Sequence, residues 1–157
     1  MKKQALKAVT MLVSIIALAF VTAVVSNAQS RSQKLRANIP FDFVVGDKTL
    51  AAGEYTVGTV TGSSSDGIVV RSTDGHHSAI RLTNNVQANA PKERAQLTFQ
   101  RYGESYYLTQ IWTPGLAEGR EMVKSKAERA AASEMAKNPA SNNLPQAETV
   151  TIYAELQ

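Results

Sequence analysis

Apolar and polar residues alternate along several short stretches of the chain, and the first of these begins at residue 39. Ile39, Phe41 and Phe43 are separated by Pro40 and Asp42. A period of two places the three large side chains on one face, which predicts a half-buried strand. Because Pro40 has no backbone N–H to donate, the strand is expected to begin there or to lie at a sheet edge.

Similar short stretches recur along the rest of the chain, with turns rich in glycine, aspartate and serine between many of them. Strands are predicted over residues 54–60, 68–71, 77–83, 96–101, 106–112, 118–123 and 149–156, with longer polar connections at 62–67, 84–93 and 140–147. Regularly spaced short strands are typical of antiparallel all-β domains. The fold class predicted is mainly β, a single sandwich or small barrel of about seven to eight strands. Local pattern leaves the choice between sandwich and barrel open, because it does not specify strand order.

One segment near the C-terminus has a helical pattern. Ser125 and Glu128 fit a capping box, in which the serine accepts from the Glu128 backbone and the glutamate side chain reaches back. Residues 129–137 are rich in strong helix formers, and Asn138-Pro139 ends the helix. We expect this helix to rest on the sheet through a small apolar stripe made of Ala127, Ala130, Ala131 and Met135.

The N-terminus has the order of charge and hydropathy that a secretory signal peptide requires. Lys2, Lys3 and Lys7 precede 18 uncharged, mostly apolar residues over 8–25, and the small residues Ser26 and Ala28 follow. This arrangement predicts cleavage between Ala28 and Gln29.

The predicted organisation is therefore a signal peptide over 1–28, a polar lead-in over 29–36 and one β-rich domain over 37–157. The protein is expected in the periplasm or outside the cell. A retained anchor is the alternative, because 18 residues approach the roughly 20 that span a bilayer. Thr10, Ser14 and Thr22 weaken that alternative, and no basic cluster follows as a stop-transfer signal.

Composition narrows the functional classes. The chain has no cysteine, so it cannot carry a lipid on sulfur, and an exported domain must be stable without disulfides. The net charge of +4 becomes +1 when the three N-terminal lysines are removed with the signal, leaving fourteen basic and thirteen acidic residues. A nearly neutral chain with scattered basic residues disfavours nucleic-acid binding and tight docking on an anionic membrane. No stable membrane insertion is expected after cleavage.

Three motifs resemble those of a group of small secreted bacterial proteins. They are Ile-Pro-Phe-Asp-Phe-Val-Val-Gly at 39–46, Leu-Ala-Ala-Gly-Glu-Tyr-Thr-Val at 50–57 and Leu-Thr-Phe-Gln-Arg-Tyr-Gly at 97–103. The resemblance covers most of the mature chain and implies a hairpin that includes Gly53 and Tyr55. Ala51 stands where this group is expected to have proline. The resemblance implies no particular activity.

The turn at Asp74-Gly75-His76-His77-Ser78 is the most suggestive candidate for chemistry. Histidine and aspartate are metal ligands, and these are the only two histidines in the chain. A metal site would still need carboxylates from elsewhere, and adjacent strand residues face opposite ways. An exposed polar hairpin tip is therefore the favoured interpretation, and neither a metal site nor a cofactor is predicted.

Other catalytic arrangements lack essential parts. Ser72 and Ser78 lie near the histidines, but no Gly-x-Ser-x-Gly elbow is present, and no glycine loop with a lysine could cradle a phosphate. Asp42, Glu54 and Glu104 lie on or beside strands, so a carboxylate pair for glycoside hydrolysis stays open. The chain is predicted not to be an enzyme, and a hydrolase using these acids or the His76-His77 turn is the alternative.

Aromatic residues cluster around one predicted hairpin, at Tyr102, Tyr106, Tyr107 and Trp112. Adjacent tyrosines on a strand face opposite ways, so one of Tyr106 and Tyr107 is expected inside. An exposed aromatic row could stack on a sugar or pack against a partner protein. Ordinary core packing together with Phe99 is the favoured interpretation.

These observations favour a secreted, non-enzymatic β-rich module with a binding or structural role in the cell envelope. Its partner would be another envelope protein or a carbohydrate. The main alternative is a subunit of an exported assembly, joined by strand addition at an edge that Pro40 or the last strand leaves open.

Overall fold

The computed structural model describes residues 34–60, 67–137 and 147–157. Within these ranges the elements are β1 (Leu35–Ile39), β2 (Phe43–Val45), β3 (Lys48–Leu50), β4 (Gly53–Thr59), β5 (Gly67–Ser72), β6 (Ser78–Gln87), β7 (Ala95–Tyr102), β8 (Ser105–Trp112), β9 (Glu118–Met122), α1 (Lys126–Lys137) and β10 (Glu148–Leu156). The expected signal peptide, its cleavage site at Ala28 and Gln29, the helix end at 138–139 and most of the polar connections at 62–67 and 140–147 lie outside the described residues.

Eight of these strands form a closed antiparallel barrel. Their order is β8-β7-β10-β1-β4-β5-β6-β9, and β9 closes the ring by pairing with β8. The predicted mainly β antiparallel fold with one helix is confirmed, and the barrel is the observed alternative. Closure depends on pairs far apart in the sequence, such as Leu35 with Leu156.

The remaining two strands form a hairpin that fills a split at one end of the barrel. β9 pairs with β8 only over residues 110–112, and the other half of β8 pairs in parallel with β2 at Tyr106 and Tyr107. On the far side of the split, β9 joins β6 only from Thr83 onward. The β2–β3 hairpin therefore occupies the space between the first halves of β8 and β6.

Two polar contacts fasten this hairpin to β6. Lys48 Nζ donates to the Ser78 carbonyl oxygen at 2.7 Å, and Arg81 Nη2 pairs with Asp47 Oδ2 at 2.9 Å. The Arg81 guanidinium also lies directly against Gly46, where any Cβ would overlap it. Glycine is favoured at position 46 for a second reason: its φ of +67° lies in the left-handed region.

The barrel interior is filled by side chains. Phe43, Tyr55 and Phe99 are at most 1% exposed and meet edge to face, with ring centroids 5.0 and 5.6 Å apart. Phe41 extends this cluster, stacking on Tyr106 at 4.0 Å and meeting Phe99 edge-on at 5.3 Å. The predicted alternation of Ile39, Phe41 and Phe43 toward the core is therefore confirmed.

The strand predicted through Pro40 is broken there. β1 ends at Ile39 and β2 begins at Phe43, so Pro40 lies in the bend between them. The prediction of an edge strand is wrong, because β1 pairs with β4 on one side and β10 on the other. The break lets the chain leave the barrel wall after Ile39 and enter the hairpin that fills the split.

Gly53 and Tyr55, predicted as parts of a hairpin, lie in β4, which forms an antiparallel hairpin with β5 and not with β3. β3 pairs only with β2, whereas β4 pairs with β1 and β5. Ala51 and Ala52 therefore connect two strands that do not pair with each other. This connection is held from both sides. Tyr55 Oη donates to the Ala51 carbonyl oxygen at 2.7 Å, and Asp42 Oδ1 accepts from the Ala52 N–H at 2.8 Å.

Two strands extend beyond their predicted bounds. β1 begins at Leu35, which is buried, so two residues of the expected lead-in belong to the barrel wall. β6 continues to Gln87 through residues expected in a connection, because β9 supplies it with a partner over 83–87. The polar residues Asn84 and Gln87 are accommodated because their side chains are exposed.

α1 lies against β7 and begins with the predicted cap, since Ser125 Oγ accepts from the Glu128 N–H at 3.1 Å. The predicted apolar stripe is shifted. Ala127 and Ala130 are exposed, and the covered residues are Glu128, Ala131, Ala132 and Met135. Glu128, which carries the capping N–H, is therefore on the covered side of the helix. No helix among the described residues is long and apolar enough to cross a membrane.

Candidate functional site

The loop between β5 and β6 is organised by Asp74. Its Oδ1 accepts from Ser72 Oγ at 2.5 Å and from the His76 N–H at 3.0 Å. The Ser72 oxygen in turn accepts from the His77 N–H at 2.9 Å. These bonds, chiefly that from Ser72, hold the pKa of Asp74 below its ordinary value. The acid and the hydroxyl are therefore engaged in forming the turn.

This arrangement does not resemble a catalytic or metal-binding centre. The Ser72 hydroxyl donates directly to a carboxylate, whereas the serine of a Ser-His-Asp triad gives its proton to a histidine. His76 and His77 are exposed. Across residues 34–60, 67–137 and 147–157, no group of three or more histidine, aspartate or glutamate side chains could hold a metal ion.

The three candidate acids are each engaged with a different partner. Asp42 accepts from the backbone of the 51–52 connection. Glu54 pairs with Arg36 at 3.5 Å, and Glu104 pairs with Arg101 at 3.5 Å. Each of these three acids therefore makes a contact that holds the fold together.

The aromatic hairpin belongs mainly to the packed protein. Tyr107 and Trp112 are 7% and 4% exposed, and Tyr106 is half-buried against Phe41. Trp112 lies across Gly119 of β9, where a Cβ would come within 2.5 Å of the indole ring. The favoured core interpretation is confirmed for these residues, and the structure offers no exposed row of them to a sugar.

Several strand edges are only partly paired. β10 lies between β7 and β1, but it pairs with β1 only at Glu155 and Leu156, so one side of β10 over 148–154 and one side of β1 over 37–39 have no strand partner among the described residues. The outer side of β3 and one side of β6 over Ser78–Leu82 are also free in the described ranges. β3 has only three residues and carries Lys48, two features that discourage pairing with another chain.

An apolar surface lies on the outside of the barrel, on β4, β5 and β6. Gly58 pairs with Val69, and Val69 pairs with Ile80, which makes a row across three strands. The alternate residues Val57 and Val70 are buried in the core, so the row faces outward. On the same face, Leu82 pairs with Gly67.

Ile80 and Leu82 dominate this surface. They are 66% and 65% exposed and stand two residues apart on β6. Together with the half-buried Val60 and Val69 they form what we call the outer apolar patch. Gly58 has no side chain, and a groove of about 490 Å³ opens above it.

The chain matches no protein-family model, no curated protein and no solved structure. The resemblance to small secreted bacterial proteins therefore stays a prediction. Functional inference rests on the geometry of the chain's own residues.

Cationic residues border the groove. Lys34 and Arg71 are among the residues that line it, whereas no aspartate or glutamate of the described chain does. Neither cation forms an ion pair with a carboxylate of the described residues, in contrast to the neighbouring Arg36, which pairs with Glu54.

The sequence pattern missed this surface. In the strand predicted over 77–83, local alternation places the large apolar residues Ile80 and Leu82 inside. In the structure Ala79 and Thr83 are buried and Arg81 lies under the hairpin, so Ile80 and Leu82 point outward. The sequence feature that could have revealed this surface is the alternation of Ile80 and Leu82 with Arg81 and Thr83.

Proposed function

We propose that the protein is a secreted, non-enzymatic binding module of the cell envelope, and that it binds through the outer apolar patch. The observation that carries this proposal is the exposure of Ile80 and Leu82, side by side and each about two-thirds accessible. Contiguous exposed apolar side chains are uncommon on monomeric proteins and mark interaction sites. Export is supported by the basic, apolar and small-residue order of residues 1–28.

The packed interior supports binding on the outside of the barrel. Small barrels that carry a ligand internally need a cavity among their inward side chains. Here Leu97, Phe99 and Val70 are fully buried in one continuous cluster with the other inward residues. A partner is therefore expected to meet the outer surface.

Site-specific photo-crosslinking in intact cells tests the proposal. A photoreactive amino acid replaces Ile80 in one strain, and Val123, which is 50% exposed outside the patch, in a control strain. We expect a specific adduct from position 80, identified by mass spectrometry, and none from position 123. Equal adducts at both positions, or none at position 80, would overturn the proposal.

A paired variant separates binding from folding. Ile80→Ser with Leu82→Ser should abolish the adduct made from a probe at Val69. Because both side chains are exposed, the free energy of unfolding should change by no more than about 1 kcal/mol in total. A large loss of stability would show that these residues act as structure.

Strand addition remains a second candidate, supported by the free side of β6 over Ser78–Leu82. A groove of about 430 Å³ lies there, between β6 and the hairpin residues Val45 and Lys48. Because the chain has no cysteine, Lys48→Cys with Ser78→Cys can be bridged by a short bifunctional reagent. Bridging should abolish partner binding if a strand inserts there, and should leave it intact if the partner uses the outer apolar patch.

A further inference from the structure

The groove next to the outer apolar patch combines apolar and cationic surface, and this combination specifies a ligand class. We propose that the groove binds a single-chain anionic amphiphile, with an alkyl chain along the row Gly58–Val69–Ile80 and a carboxylate head at Lys34 and Arg71. This inference rests on the proposed function and names the ligand of the same face.

The apolar part of the groove has a suitable size and direction. Its volume of about 490 Å³ lies within the roughly 300–1,000 Å³ typical of small-molecule sites. From Lys34, beside Gly58, to Ile80 the surface crosses three inter-strand spacings, about 14 Å in all, which is comparable with an extended dodecyl chain. Gly58 is buried and is one of the residues that line the groove.

One cation lies at the end of the row and the other beside its middle. Lys34 precedes Leu35, whose partner is Val57, so Lys34 stands level with Gly58 at the β1 end of the row. Arg71 pairs with Thr56, so it stands two residues along β5 from Val69 on the same outer face. With no acid lining the groove and no carboxylate paired to either cation among the described residues, an anionic head is favoured over a neutral or cationic one.

Two amphiphiles of equal chain length provide the test. Dodecanoate and dodecyltrimethylammonium are titrated below their micelle concentrations into the purified protein with labelled methyl groups. We expect dodecanoate to shift the Ile80 and Val69 methyl signals and leave Val123 unchanged. The cationic amphiphile should bind at least tenfold more weakly, a difference of about 1.4 kcal/mol.

A charge-matched pair of variants assigns that difference to the groove. Lys34→Gln with Arg71→Gln should weaken dodecanoate binding about tenfold and leave dodecyltrimethylammonium binding no weaker. Lys126→Gln with Lys137→Gln removes the same charge from α1 and should change neither affinity.

Three outcomes would overturn the inference. They are equal affinity for the two amphiphiles, an equal loss in the α1 variant, and the absence of dodecanoate binding. The proposed function is tested separately by the adduct from position 80. A specific protein adduct without dodecanoate binding would refute the ligand class and keep the binding face, whereas the absence of both would refute both.

Discussion

Gly46 and Gly103 occupy equivalent places in two tight hairpins. Replacing each by alanine separates the free-energy cost of a left-handed backbone from the cost of overlap with Arg81. Both have positive φ, +67° and +63°, and each lies in a two-residue turn, between β2 and β3 or between β7 and β8. A Cβ at Gly103 meets nothing within 4 Å, whereas a Cβ at Gly46 overlaps the Arg81 guanidinium. Gly103→Ala therefore measures the backbone cost alone.

The expected magnitudes follow from these contacts. Alanine in the left-handed region costs about 1–2 kcal/mol at either position. At Gly46, Arg81 must also move away from the hairpin and lose its contact with Asp47. That ion pair is partly exposed, with side chains 32% and 64% accessible, and is worth about 0–1 kcal/mol, to which overpacking adds about 1–3 kcal/mol. We expect Gly46→Ala to destabilise the protein by about 1–4 kcal/mol more than Gly103→Ala.

Urea unfolding followed by the fluorescence of Trp112, the single tryptophan, measures both free energies. A double-mutant cycle with Arg81→Ala identifies the source of the excess. In that background Gly46→Ala should cost no more than Gly103→Ala, because the overlapping side chain is gone. Equal costs in the parent protein, or an excess that persists without Arg81, would refute the assignment of Arg81 as the side chain that fastens the hairpin.

Two further predictions concern other contacts. Gly119→Ala should lower the free energy of unfolding, measured in urea, by about 1–3 kcal/mol, because the new methyl group overlaps the ring of Trp112. Unchanged near-ultraviolet circular dichroism of that ring would contradict this. Glu128 is 3% exposed, its Oε1 has no partner in the described chain, and burial raises its pKa despite Lys124 and the Ser125 N–H. Since the unfolded chain releases this proton first, stability should fall as pH rises from the ordinary glutamate pKa to the raised one. Glu128→Gln should remove that decrease, and an identical pH profile in urea titrations would exclude this glutamate as its source.

The strands were predictable where the signal is local. Period-two alternation identified the inward faces of Ile39 and Phe43, because burial of alternate positions needs only one covered side. Barrel closure was not predictable in the same way. It depends on pairs such as Leu35 with Leu156, and no short window contains both partners.

The outer apolar patch was not predictable for the same reason, because its orientation depends on contacts between residues far apart in the sequence. Hydropathy alone would direct Ile80 and Leu82 inward and Arg81 outward. Arg81 faces the hairpin because Gly46 and Asp47, about 35 positions earlier, present a bare backbone and a carboxylate to it. Since side chains alternate along a strand, placing Arg81 there puts Ile80 and Leu82 on the outer surface.

The position of β10 between β1 and β7 also determines when the barrel can close during synthesis. β1 is among the first strands to be made, yet one of its two neighbours is β10, the last element in chain order. Until residues 148–156 are available, both β1 and β7 expose an unpaired edge that can join another chain. Such distant pairing slows folding, and the ring cannot close before residues 148–156 have been synthesised.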